Sequence, residues 1–156
     1  MTTGLTFNLL SFLLLGRLLT VRLSTVDRLP GLFTLNERVA YLGEWDHGFF
    51  SMTAVGAFAV GSIRVGLDPN LRTNVSGAPP GSFSSTSLVG FEPTYNELVL
   101  MQPGSFQPEK HLTPGQKFGE FRLGSTVVLL FEAPRGQFKW AVREGDRVKM
   151  GQALLE

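Results

Sequence analysis

Residues 48–67, GFFSMTAVGAFAVGSIRVGL, form a long apolar stretch punctuated by glycine at positions 56, 61 and 66. A five-residue interval matches neither the 3.6-residue period of a helix nor the four-residue small-residue spacing used by packed membrane helices. It suits strands that bend or pack closely, where a missing Cβ lets another backbone approach. The flanking segments read the same way. ERVAYLGEW (37–45) mixes apolar and polar positions and runs into a glycine-containing turn, and strands are expected again at NELVLM (96–101), GQKFGEFRLGSTVVLLFEAP (115–134) and QFKWAV (137–142). Between Asp68 and Pro93 the chain is rich in Gly, Pro, Ser, Thr and Asn, as in NVSGAPPGSFSSTS, which reads as an irregular loop. The last segment, REGDRVKMGQALLE, reads as a turn at Gly145-Asp146, a short strand and a second turn at Gly151. No capped segment with sustained helical periodicity appears after residue 35.

The first thirty residues differ from the rest. LTFNLLSFLLLGRLL is strongly apolar, yet its most apolar run, Leu9–Leu15, is far shorter than the ~20 residues that cross a bilayer as a helix. Arg17, Arg22 and Arg28 follow, and no acidic residue precedes Asp27. This pattern suits an organelle transit segment or a membrane-lying helix, although Arg17 and Arg22 do not share a helical face. The alternatives are a buried helix or a substituted start on a longer protein. The expected fold is therefore mainly β, of the β-rich α+β class: a sandwich- or barrel-like β domain preceded by a helical leader over residues 1–28.

Composition narrows the function. The 156 residues, 43% hydrophobic and 17% charged, suit one globular domain with a real core. A net charge of +1 argues against a nucleic-acid binder. With no cysteine and only His47 and His111 as histidines, neither disulfides nor a multi-histidine metal centre is expected.

The triplet Gly124-Ser125-Thr126 interrupts what otherwise reads as one strand. One reading is a β-bulge. Another is chemical. A serine hydroxyl held under backbone strain can attack the carbonyl of the residue before it. The Ser125 Oγ–carbonyl bond forms, the Gly124–Ser125 amide bond breaks, and the proton passes from oxygen to nitrogen, leaving an ester. Glycine on the acyl side minimises crowding, while hydrogen-bond donors and a base complete the requirement. Loss of the Cα proton then expels the Gly124 carboxylate and leaves dehydroalanine, which water converts to a pyruvoyl group with release of ammonia. A ketone at a chain end forms a Schiff base with a substrate amine and accepts electrons on decarboxylation.

LGSTVVLLFEAP, with FGEF before it and GDRVKMGQAL after it, resembles the C-terminal end of the phosphatidylserine decarboxylases. Upstream, GLFTLNERVAYLGEWDHGFFSMTAVGAFAVGSIRVGLDPNLRTN resembles the mitochondrial branch of that family. The resemblance covers roughly Leu29 to Glu156. It implies cleavage between Gly124 and Ser125, a pyruvoyl group made from Ser125, and conversion of phosphatidylserine to phosphatidylethanolamine and carbon dioxide. It also implies a membrane surface at the mitochondrial inner membrane, with residues 1–124 and 125–156 as the two partner chains after the cut. On this reading residues 29–156 are a partial decarboxylase domain behind a divergent leader.

The chain also departs from the family. The family's upstream aspartate and His-Arg-x-His-like stretch, which activate the serine, have no counterpart here, and neither Asp27 nor His47 carries over into those roles. The family's Ala-Thr-Asn reads Ala57-Phe58-Ala59. Cleavage of the isolated chain is accordingly expected to be slow or absent. His47, next to Asp46, remains the candidate for a base or substrate contact, with a plain turn histidine as its alternative. His111 is expected in a solvated Pro-rich linker. Phe49 and Phe50 suit a core or a lipid-facing surface. Lys117, Arg122, Arg135, Lys139, Arg143, Arg147 and Lys149 give the last third a basic bias that suits anionic lipid or a solvated face. Two other readings stay open: a catalytically inactive remnant, and a biotinyl- or lipoyl-carrier-like β module, whose turn pattern GDRVKMGQAL shares around Lys149.

Overall fold

The computed structural model describes residues 5–58, 60, 62–66, 68–69, 71–74, 83–87, 110–136 and 138–156. The strand expected at 96–101 and much of the loop expected over 68–93 lie outside them. In chain order the described elements are β1 (Leu5–Leu14), α1 (Leu23–Val26), α2 (Leu32–Leu35), β2 (Arg38–Trp45), β3 (Gly48–Val55), β4 (Ile63–Val65), β5 (Phe83–Ser87), β6 (Lys110–Leu112), β7 (Gly119–Phe121) and β8 (Thr126–Phe131).

The mainly β expectation holds, whereas the helical leader does not. The apolar run at the start of the chain is the ten-residue strand β1. It pairs antiparallel with β2 along one edge, and with β5 and β6 at different heights along the other. A short continuous apolar run fits a buried helix and a strand with neighbours on both edges equally well, and here the partners on both sides decide for the strand. Only the four-residue turn of α1 is helical within residues 5–28.

The larger sheet runs β5-β1-β2-β3-β8, with β6 joined to β1. Its described strands form an open path, so this is no closed barrel. A second sheet, β4 with β7, lies over it: Ile63, Val65, Phe118 and Phe121 pack on a core of Leu13, Leu15, Val39, Tyr41, Ala54 and Leu112. The Phe118 ring meets Tyr41 edge-on, with centroids 5.2 Å apart.

Two of the punctuating glycines mark strand ends rather than bends within strands. β3 stops at Val55 and β4 at Val65, each one residue before a glycine. At Gly56 a Cβ would lie 3.1 Å from both the Glu37 carbonyl and a Leu18 methyl, so the close backbone approach read from the sequence is real.

Four further expectations change. Phe83–Ser87, inside the expected loop, is β5. The backbone of His111 lies in β6, opposite Thr6, rather than in a linker. Residues 138–142 form a single bridge, Trp140 to Leu155, in place of a strand. No strand is assigned between the last two turns either, although both turns are present, with Gly145 and Gly151 at φ 85° and 78°.

Candidate functional site at the Gly124–Ser125 seam

The Gly-Ser-Thr triplet is not a bulge inside one strand. β7 ends at Phe121 and β8 begins at Thr126, so residues 122–125 carry the chain from the small sheet to the open edge of the large one. Leu123 is 58% exposed, and Gly124 is exposed with no atom within 4 Å of where its Cβ would stand. Neither Gly124 nor Ser125 has a positive φ, so the left-handed strain that would drive the serine forward is absent here.

Ser125 is half-buried, and its Oγ donates a hydrogen bond to the carbonyl of Val55, 70 residues earlier. The pairing register brings the two together: Thr126 lies opposite Val55 at the end of the β3–β8 ladder. The Val55 end of β3 is itself firmly held. Gly56 N donates to the Glu37 carbonyl at 2.7 Å, and Asn36 Nδ2 donates to the Gly56 carbonyl at 2.9 Å. Asn36 is fully buried and also exchanges bonds with the Leu19 backbone, accepting from its N–H at 3.0 Å and donating to its carbonyl at 2.9 Å.

Glu37 is 5% exposed and accepts the Asn74 N–H at 2.7 Å. Burial pushes its carboxyl above the usual carboxylate range, against the smaller opposing effect of the Asn74 bond. The sequence offered Asn36 and Glu37 only as part of a resembling stretch. A polar pair immediately before an apolar strand was the signal available, and its burial was not.

His47 is not near this site. It lies in the turn at the opposite end of β3, so the length of that strand, roughly 25 Å at ~3.4 Å per residue, separates it from Ser125. Its exposed ring stands edge-on to Trp45, with centroids 4.7 Å apart. That end of the sheet is an anchoring region. Trp45 Nε1 donates to the Glu132 carbonyl at 2.9 Å, and the Glu132 carboxylate accepts the Phe49 N–H at 2.8 Å. Phe131 stacks on Phe50 with centroids 6.2 Å apart, and Phe138 and Trp140 continue the ring cluster. Phe50 is thus a packing residue, whereas Phe49 is 37% exposed. Lys149 opens the last turn, its backbone N–H donating to Gln152 Oε1 at 3.0 Å.

A family model described as phosphatidylserine decarboxylase matches residues 11–156, which include both strands that flank Gly124–Ser125 and the segment that holds them. The chain belongs to the phosphatidylserine decarboxylase family.

Among curated proteins of that family, it is 48% identical over 126 residues to phosphatidylserine decarboxylase proenzyme 1, mitochondrial, of Saccharomyces cerevisiae, an alignment covering 80% of this chain and 23% of that protein. It is 42% identical over 139 residues to the mitochondrial proenzyme of Pongo abelii, covering 89% and 31%. With the Caenorhabditis elegans proenzyme the identity is 41% over 140 residues, covering 90% and 32%. The chain thus spans between about a quarter and a third of the length of these decarboxylase relatives.

Proposed function

We propose that this chain carries the self-processing seam and pyruvoyl centre of a phosphatidylserine decarboxylase, which converts phosphatidylserine to phosphatidylethanolamine in the mitochondrion, at the inner membrane. Ser125 is the residue from which the group is made. Residues 1–124 and 125–156 are the two chains that result. The observation carrying this reading is the position of the Gly124–Ser125 link: an exposed connection between two sheets, whose serine hydroxyl is held against the end of β3.

The residues present fit a group at this position. The Gly124 side is open: a Cβ there would meet no atom beyond its chain neighbours. The side chain of residue 125 is tucked against a strand end fixed by Asn36 and Glu37. When formed, the pyruvoyl group supplies an electron sink for a substrate bearing an amine and a carboxylate. The chain's own contribution before that is positional. Val55 orients the hydroxyl, but a neutral carbonyl cannot take its proton, so conversion requires the hydroxyl to leave Val55 for a base. Thr126 fixes the downstream side of the link by pairing with Val55, and β8 stays in place when the bond breaks.

Borohydride reduction in the presence of phosphatidylserine tests the reading. The lipid amine should become covalently fixed to residue 125 in the processed protein, and Ser125→Ala should abolish the adduct. Decarboxylation retained by Ser125→Ala would refute the assignment.

A further inference from the structure

The two-stranded sheet β4–β7 separates two cavities. On one side a space of about 720 Å³ is lined by polar groups including Asp68, Arg72 and Thr73. On the other, a cavity of about 500 Å³ lies between β7 and the β3–β8 edge. Met52, Ala54, Val65, Phe121 and Val127 form its apolar walls. It adjoins the seam on both strands: Ala54 pairs with Val127, Ala54 precedes the residue whose carbonyl holds Ser125, and Val127 lies two residues beyond Ser125.

Its mouth carries an excess of positive charge. Arg64, Lys117 and Glu120 line both cavities. Lys117 Nζ meets Glu120 Oε2 at 2.5 Å. The Glu120 carboxyl is held below its ordinary range by the Lys117 hydrogen bond first, then by the charges of Lys117, Arg64 and Arg122. Three cations therefore surround one carboxylate. Arg122, the third of them, lies two residues before Gly124 in the linker to the seam. An apolar slot of this size, within the ~300–1,000 Å³ typical of small-molecule sites, calls for a ligand with an apolar body. The surplus cations call for an anionic group at its entrance.

We propose that the cavity between β7 and the β3–β8 edge takes one acyl chain of an anionic phospholipid, with Arg64 and Lys117 meeting the net negative headgroup, phosphate and carboxylate together, at its mouth. This deepens the decarboxylase reading and rests on it for the identity of the lipid. The slot places the glycerol end of the substrate at the strand pair that carries Ser125, and the β4–β7 wall separates the acyl chain from the polar side.

The test uses the full chain with Ser125→Ala, which cannot form a pyruvoyl group, and reads binding alone. Failure here therefore leaves the self-cleavage reading standing, and failure of cleavage leaves this result standing. The probes are dihexanoylphosphatidylserine, dihexanoylphosphatidylcholine and glycerophosphoserine, each below its micelle concentration, followed by calorimetry.

Dihexanoylphosphatidylserine should bind, and glycerophosphoserine, lacking the acyl chains, should bind at least roughly tenfold more weakly. Val127→Trp, which fills the slot, should weaken binding by at least roughly tenfold, while Val128→Trp on the opposite face of β8 should not. Arg64→Ala with Lys117→Ala, both at exposed side chains, should cost roughly tenfold and remove the preference over phosphatidylcholine. This last pair keeps the proposal testable if the tryptophan variant fails to fold. Equal affinity of the Val127→Trp and Val128→Trp chains, glycerophosphoserine binding as tightly as the acylated probe, or an Arg64/Lys117 double variant with unchanged preference would each overturn the proposal.

Discussion

At the residue scale, the Ser125 hydroxyl points into a hydrogen bond with a carbonyl that has no capacity to accept its proton, and the glycine before it stands in open space. Two consequences separate chemistry from folding. Gly124→Ala should leave the unfolding free energy from urea titration unchanged within about 0.5 kcal/mol, because the added methyl meets nothing beyond its chain neighbours and φ is not left-handed. The same change should slow breakage of the 124–125 bond by crowding the attacked carbon, a difference read by mass over a time course. Glu37 gives a pH signature. Its carboxyl titrates higher in the folded chain than in the unfolded one, so its stabilising contribution is complete below the ordinary carboxylate range. That contribution is lost as pH rises through the elevated value. Glu37→Gln keeps an oxygen for Asn74 and removes the charge. Its urea midpoint should exceed the parent's at neutral pH, and the gap should close as pH falls to about 4, near the free carboxylate value. A gap that stays level between these pH values would contradict it. The motif around Ser125 made that residue legible in the sequence. Its contact with Val55, and the buried Asn36 and Glu37 behind it, depend on strand register, which local pattern does not encode.

At the scale of elements, turns were more legible than the strands between them. REGD and KMGQ, both read as turns from the sequence, and TPGQ, whose glycine was read instead as the start of a strand segment, each place glycine third, with φ of 85°, 78° and 80° at Gly145, Gly151 and Gly115. A positive φ at that position is what a type II turn demands. Each turn closes twice. Gln116, Asp146 and Gln152 donate their N–H to the first residue's carbonyl at 3.0–3.1 Å, and their side chains accept that residue's own N–H at 2.8–3.1 Å. Such chemistry is local, so a local pattern reveals it. β1 is the opposite case. Its second half, Leu9–Leu14, is broken only by Ser11 and carries no clear period, and its pairing with β2, β5 and β6 distinguishes strand from helix. Removing residues 1–28 should therefore do more than remove a membrane-seeking segment. It takes out a strand with partners on both edges, leaves one edge of β2 unpaired, and removes the buried Leu13 and Leu15. Loss of a cooperative urea transition is the expected result, and a truncated chain that still unfolds cooperatively would contradict the place assigned to β1.

Across the whole molecule, the seam divides two parts that remain bound to each other. Residues after it are held by the β3–β8 ladder, by the two hydrogen bonds from Trp45 and Phe49 to Glu132, and by the ring cluster of Trp45, Phe50, Phe131, Phe138 and Trp140. Within that part, Trp140 bridges to Leu155 and Lys139 pairs with Glu156. Breaking one exposed peptide bond between the sheets removes none of these contacts, so the processed protein should run as one particle under native conditions. The β-rich class was legible from glycine spacing and the lack of capped helices, whereas the two-sheet arrangement with its cavities arose from long-range pairing alone. The proposed function requires that the Gly124–Ser125 bond be broken with conversion of the serine. Denaturing mass analysis of the protein as its own cells make it tests this most directly. The expected products are one chain ending at Gly124 and a second beginning at residue 125, lighter by the elements of ammonia than a serine-started peptide and lacking an amine terminus. An unbroken bond across Gly124–Ser125, or a second chain that begins with an unmodified serine, would contradict it.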